Sequence, residues 1–497
     1  MYPPGLLRCR MIMAAPHLFG TSALTMPKEK FIRKGPAYWI INPSLTRNKK
    51  IPVIANENIL ETITDRVIQQ ASNTANAEGV ESVVLNPDAH EGYGAPIGCV
   101  VVTSDTLMPG PVGFDISCSM SFLQTDLQPA DVLDRRVRRT LIQEIEKRIA
   151  LGAGSKPAPL QQRVTPQEFH EIIGRGPEAR EILTSHDVDL SWTGNLERKW
   201  LEADPDVISK RAFERGFDQL GSLGGGNHFI EMETSEIVDS KLASHFGVGE
   251  GVVIVTHCGS RGFGHQIASE FFKQLEHDFK AADQPFPGND RELVFCYRDT
   301  PRGERYWKSV GCGANFAIVN HLFINTALRD SLRTIFPGVN CYLVYLISHN
   351  LVQPEVIEGK TKFVHRKGAT RALPSGHPLL QGTKFEATGH PALVPGSALA
   401  GSSLMVADVN SHLTHHSVNH GAGRAMGRNQ ARRTLDQKSV DEEMERHDVL
   451  FNYRHYPIDE SAAAYKNYED VIQSMLEARI ARLVSRHKPL MVLKGND

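Results

Sequence analysis

The stretch GPVGFDISCSM (residues 110–120) sets a carboxylate, Asp115, three positions before a thiol, Cys118, behind an apolar run punctuated by glycine. Thiolate and imidazole are common ligands of transition metals, and a carboxylate completes such sites. Three histidines occupy comparable places further on: His228 in GSLGGGNHFIE, His257 in VTHCGSRGFGHQ and His349 in ISHN. Each lies where an apolar run meets a polar or glycine-containing turn, so a strand end can aim the side chain into a cleft. Taken singly, Cys118 reads equally as a small buried hydrophobe, and each histidine as a hydrogen-bonded core residue. Taken together, Asp115, Cys118, His228, His257 and His349 exceed one tetrahedral site and point to two adjacent ions. Two-metal sites suit phosphoryl chemistry, because they clamp both the entering and the leaving oxygen.

HGAGRAMGRNQARR (residues 420–433) is the second informative stretch. A helix starting near Gly423 would set Arg424, Arg428 and Arg432 on one face. The preceding GAG would offer backbone N–H groups to an anion, with His420 beside it. The plainer reading is a solvated basic helix; the sharper one is a nucleophilic histidine facing a phosphate. Of the other basic runs, RRVRR (135–139) reads as a solvated helix face. HRKGATR (365–371) mixes glycine and threonine among its charges after a strand, as a phosphate-binding turn does. PDAHEGYGAPIG (87–98), with Asp88 and His90, again gathers histidine and glycine in one short segment.

Strand-like runs must position these groups: SVVL, IGCVVVT, GVVIVTHC, LVFCYR, CYLVYLIS, TKFVHRK, SSLMVAD and LMVLKG. Helical patterns fall between some of them, as in DVLDRRVRRTLIQEIEKRI, GHQIASEFFKQLEHDFKAA and AAYKNYEDVIQSMLEARIARLV. The spacing shows no regular βαβ alternation, so the expected class is α+β, with mixed sheets and helices around a central metal cleft. One large domain is expected over 36–497, with a polar helical insertion at 150–215 and a disordered leader at 1–35. The 497 residues are 41% hydrophobic and 23% charged, as in an ordinary globular protein. No run approaches the roughly 18–20 apolar residues a membrane span needs, and the expected compartment is the cytoplasm. A net charge of −2 excludes a global basic footprint, so any nucleic acid must bind through a local patch. Seven scattered cysteines without a CxxC argue against a disulfide framework.

The ordered motifs GGNHFIE, HCGSRGFGHQ, HN, HRKGATRALP, PGS and HGAGR resemble the RtcB-type RNA ligases over about four-fifths of the chain. That resemblance implies the α+β fold of those ligases and a GTP- and Mn²⁺-dependent joining of RNA ends. A 2′,3′-cyclic phosphate or 3′-phosphate end would be joined to a 5′-hydroxyl through a GMP-histidine and an RNA-3′-ppG intermediate. By the same resemblance His420 is the guanylylated residue, and Asp115, Cys118, His228, His257 and His349 hold two Mn²⁺. Asn227, Glu231, Asn350, Ser397, Ser403 (or Ser402), Gly421, Ala422, Gly423, Arg424, Tyr465 and Lys494 match nucleotide contacts. Arg261 and Arg371 are expected at RNA phosphates, and an archease-type activator is an expected partner. Ser119, Cys99, Cys258 and Asn419 depart from the usual family pattern. Two other readings remain open: a two-metal phosphoesterase of RNA ends, and a metal-stabilised RNA-binding subunit without turnover.

Overall fold

A computed structural model describes residues 29–152, 163–197 and 201–495. Two large sheets, almost wholly antiparallel, organise the chain. The first has seven strands, in the order Phe31–Gly35, Tyr38–Ile41, Pro52–Ile54, Val80–His90, Ile97–Thr103, Lys360–Lys367, Asn350–Ile357. The second runs Cys341–Ser348, Ser119–Thr125, Gly251–Cys258, Phe229–Ile237, Ala481–Lys494, Ser402–Ala407, Pro391–Pro395, with Leu450–Phe451 added alongside Ala481–Lys494. Antiparallel pairing with helices set apart is the α+β class expected from the irregular spacing. Of the expected leader, residues 1–28 lie outside the described residues, while Phe31–Gly35 is already a strand paired with Tyr38–Ile41.

The second sheet explains how distant donors meet. In its first five strands, Ser119 lies opposite both Ser348 and Cys258, and Phe229 lies opposite both His257 and Lys494. Because the neighbours are antiparallel, one end of the sheet collects alternately the finish of one strand and the start of the next. Cys118, His228, His257, His349 and Lys494 therefore stand side by side, on strands about 4.8 Å apart. His349 is also the hinge between the sheets, for Asn350 begins the edge strand of the first.

Beneath this end runs a 35-residue helix, Pro301–Ile335, capped by the Thr300 side chain with proline at its first position. It is buried on every side from Ser309 to Leu328, polar residues included, which hides the helical period that would have announced it in the sequence. Buried polar residues on it brace the site from below. His321 Nε2 lies 3.0 Å from the Cys258 carbonyl, Asn320 donates to Ser222 O at 3.2 Å, and Ser121 donates to Asn325 Oδ1 at 3.1 Å. The described part of 150–215 forms short helices, among them Pro166–Arg175, which opens with a Thr165/Glu168 capping box and packs on the long helix.

RRVRR presents Arg135, Arg136 and Arg139 to solvent as expected, and only Arg138 departs from that face. In the helix Arg135–Arg148, Arg138 is fully buried and donates to the carbonyls of Leu133, Asp448 and Leu490 and to the Asp448 carboxylate. Among the described residues no helix is long and apolar enough to cross a membrane. The six described cysteines are all free and buried; Cys9 lies outside the described residues.

Candidate active site

Two overlapping triads of donor atoms form at the end of the second sheet: Cys118, His257 and His349, and Asp115, Cys118 and His228. Cys118 Sγ lies 3.1 Å from His257 Nε2 and 3.5 Å from His228 Nε2. His257 Nε2 is 3.2 Å from His349 Nε2, and His228 Nε2 is 2.9 Å from Asp115 Oδ2. The other ring nitrogens settle the orientation. His228 Nδ1 lies 2.9 Å from Leu223 O and His257 Nδ1 3.1 Å from Asn227 O, so each imidazole donates there; His257 keeps a lone pair on Nε2, while His228 Nε2–H donates to Asp115 and would give up that proton to ligate an ion. Cys118, shared by both triads, is placed as a donor bridging two ions would be. Burial drives the Cys118 thiol well above its usual range, with the Asp115 charge adding to this. Burial also works against the Asp115 charge, but the hydrogen bond to His228 prevails and holds its carboxyl at about 2.

His420 follows the strand Ser417–Asn419 and meets the triads from the other side, its ring centroid 5.0 Å from that of His349. Its Nδ1 is 2.6 Å from Asp88 Oδ2, and the same carboxylate oxygen accepts its backbone N–H at 3.1 Å. Asp88 is fully buried on Val80–His90. Buried Lys466 steadies that strand by donating to the carbonyls on either side of Asp88, Pro87 at 3.0 Å and Ala89 at 2.6 Å. Gly423 (φ +73°) packs so closely that a Cβ there would lie 2.3 Å from Asp88 O. The Asp88–His420 pair joins residues 332 apart, which no local spacing reveals; Asp88 was visible only as part of a histidine- and glycine-containing segment.

These groups share one cleft of about 370 Å³. Asp115, Cys118, His257, His349 and His420 line it, as do Asn227, Glu231, Asn350, Ser397, Gly421, Ala422, Gly423, Arg424, Tyr465 and Lys494. One wall is polar and buried. Lys494 Nζ donates to Glu460 Oε2 at 2.9 Å, Tyr465 donates to the same oxygen at 2.7 Å, and the Arg424 guanidinium lies over the Tyr465 ring at 5.1 Å. Burial pushes the Glu231 carboxyl up while Lys494 draws it back. Carboxylates and an ammonium on one wall complement a base carrying both N–H donors and a carbonyl.

Other expected residues fall elsewhere. The helix begins at Arg428, not near Gly423, because Arg424 is held in a bridge to Tyr465; the GAG segment is therefore a loop, not a helix N-terminus. Arg428 and Arg432 pair with Asp459, and Arg424 and Arg428 with Glu460; Arg432 stays exposed, while Arg424 and Arg428 are partly buried and not free for phosphate alone. Ser403 is fully buried on Ser402–Ala407, 2.8 Å from the Tyr468 hydroxyl; Ser402 bonds Glu233 and His487, and neither lines the cleft. Arg261 (φ +54°) sits behind the donors, its Nη1 3.4 Å from His228 Nδ1. In HRKGATR, Lys367 reaches the cleft, while Arg366 and Arg371 turn into a buried ionic cluster, pairing with Glu355 at 2.7 Å and Glu197 at 3.0 Å. A buried guanidinium needs its carboxylate, so Glu197→Ala is expected to cost about 3 kcal/mol, read as a lower denaturant midpoint.

The profile of one family, described as tRNA-splicing ligase RtcB, matches residues 70–495. The tRNA-splicing ligase RtcB of Thermococcus kodakarensis is 32% identical over 478 residues, covering 91% of this chain and 96% of that protein. That of Archaeoglobus fulgidus is 33% identical over 494 residues, covering 95% of this chain and 100% of its own length. The RNA-splicing ligase RtcB homolog 1 of Entamoeba dispar is 32% identical over 483 residues, covering 90% and 87%.

Proposed function

The chain belongs to the RtcB family of RNA ligases, which use GTP and manganese, and from that premise we propose that His420 is its guanylylated nucleophile. The observation that carries this reading is the Asp88–His420 hydrogen bond beside the donor cluster. Asp88 accepts from Nδ1–H, which fixes the tautomer and leaves the Nε2 lone pair as the attacking group. Nε2 attacks the α-phosphorus of GTP; a P–N bond forms and pyrophosphate leaves. An oxygen of an RNA 3′-phosphate then displaces His420, giving RNA-3′-ppG. A 5′-hydroxyl attacks the RNA 3′-phosphorus, loses its proton, and GMP departs.

The donor set fits two divalent ions: Asp115, Cys118, His228, His257 and His349 converge, and the fully buried Nδ1 of His349 lacks a hydrogen-bond partner. Bound there, Mn²⁺ would neutralise charge developing on phosphate oxygens. Glu231, Lys494, Asn227, Ser397 and Tyr465 are the groups we assign to the guanine nucleotide, with Asn350 and Lys367 toward phosphates. The substrates we assign are 2′,3′-cyclic phosphate or 3′-phosphate ends and 5′-hydroxyl ends. An archease-type activator and a cytoplasmic location belong to the same reading.

Asp88→Asn keeps the shape but not the charge and does not select the productive tautomer. GMP transfer to the protein should slow about 100-fold, measured as the single-turnover rate of labelling from GTP. The reading as a whole is tested with two short RNAs, one ending in a 2′,3′-cyclic phosphate and one beginning with a 5′-hydroxyl. Joined product that requires both GTP and Mn²⁺ is the expected result. Opening of the cyclic phosphate without joining, with an activator supplied, would favour a phosphoesterase.

A further inference from the structure

Tyr93 and Phe114 are the aromatic rings of PDAHEGYGAPIG and GPVGFDISCSM, and the ligation steps leave both unused. Both rings line the cleft that holds the metal donors, and Phe114 is covalently next to Asp115. Tyr93 is 37% exposed, a large aromatic ring left open to water at the mouth of a site. It is nevertheless held firmly. Its ring packs edge to face against Phe114 and Phe272, both at 5.0 Å, and Phe272 is buried in the main core. The exposed ring of His265 stacks on Phe114 at 5.1 Å, with 26° between the planes. Lys367 fixes the loop by donating to the carbonyls of Tyr93 and Ala95. Ring surface left open to water is favourably covered by another flat ring, and a partner on these rings would lie in the cleft that holds the metal donors. Cationic Lys367 in the cleft and Arg215, bonded to Gln266 at 3.0 Å beside His265, suit a polyanion approaching from this side.

We infer that Tyr93 and Phe114, backed by His265, form a stacking platform for the nucleobase adjoining the reacting phosphate of an RNA end, an inference that rests on the ligase reading. Stacking needs only a π face, so the platform positions an end without selecting its sequence. The nucleobase comes either from the nucleotide bearing the 3′-phosphate or from the one bearing the 5′-hydroxyl.

The test measures binding of short fluorescent RNAs to the Mn²⁺-loaded full chain by anisotropy. Each RNA carries either a normal or an abasic residue at its 3′-phosphate end, or at its 5′-hydroxyl end. Loss of the base at one end should weaken binding about tenfold, and the end affected identifies the stacked nucleotide. Tyr93→Leu should bind the normal RNA as weakly as the abasic one, and Tyr93→Phe should restore the difference. Equal binding of normal and abasic RNA at both ends by the wild type would overturn the platform, as would a Tyr93→Leu protein that discriminates like wild type. GMP labelling, measured on the same wild-type preparation, keeps the two claims apart. Label with no base discrimination refutes the platform alone; absence of label refutes the ligase reading, while the RNA arms still decide the platform.

Discussion

His420→Ala is expected to retain manganese and to lose joining of RNA ends altogether, a fall of at least about 10⁴-fold, because covalent catalysis has no substitute once its nucleophile is gone. His420 belongs to neither donor triad, so the ions should stay. The alanine variant leaves Asp88 as a buried carboxylate without its ring partner, which lowers stability. His420→Asn is the companion variant, since its amide can donate to Asp88 while offering no imidazole. Both should be folded by circular dichroism, metal-loaded, and blank in GMP labelling. A variant that labels at the wild-type rate would place the nucleophile elsewhere.

Cys118→Ala should have the next largest effect, because its sulfur alone is common to both triads. Removing it leaves His257 with His349, and Asp115 with His228, as two incomplete sets. Manganese content after dialysis should fall from two ions to fewer than one, and joining should fall by more than about 100-fold. The metal-free thiol holds its proton, since burial raises it well above the usual range, and a metal must displace that proton. Wild type should therefore release one more proton than Cys118→Ala when Mn²⁺ is added, measured calorimetrically in buffers of different ionisation enthalpy. Full manganese occupancy in the variant would remove Cys118 from the site.

Four of the five donors were legible in the sequence because they sit at strand ends, His257 and His349 where apolar runs stop and Cys118 and His228 just before such runs begin, with Asp115 in the turn ahead of Cys118. What sequence does not carry is the strand order that sets those ends side by side; that depends on pairings between residues hundreds of positions apart. Asp88 illustrates the limit. Its segment stood out, yet its role exists only through a partner on another sheet's connection. The arginine series failed for a different reason: Arg424, Arg428 and Arg432 have helical spacing, but tertiary pairing of Arg424 with Tyr465 and Glu460 delays the helix to Arg428. Arg371 and Ser403 were carried by motif position, and burial against Glu197 and Tyr468 takes both out of the cleft. The helix Pro301–Ile335 escaped because a segment buried on every side through its middle has no amphipathic period to read.

The most direct measurement is to incubate the Mn²⁺-loaded protein with GTP, digest it under alkaline conditions that preserve a P–N bond, and map the GMP adduct by mass spectrometry. The account predicts one acid-labile GMP on the peptide carrying His420, absent from His420→Asn and slowed in Asp88→Asn. GMP on a lysine, or no adduct from folded, metal-loaded protein supplied with an activator, would contradict it.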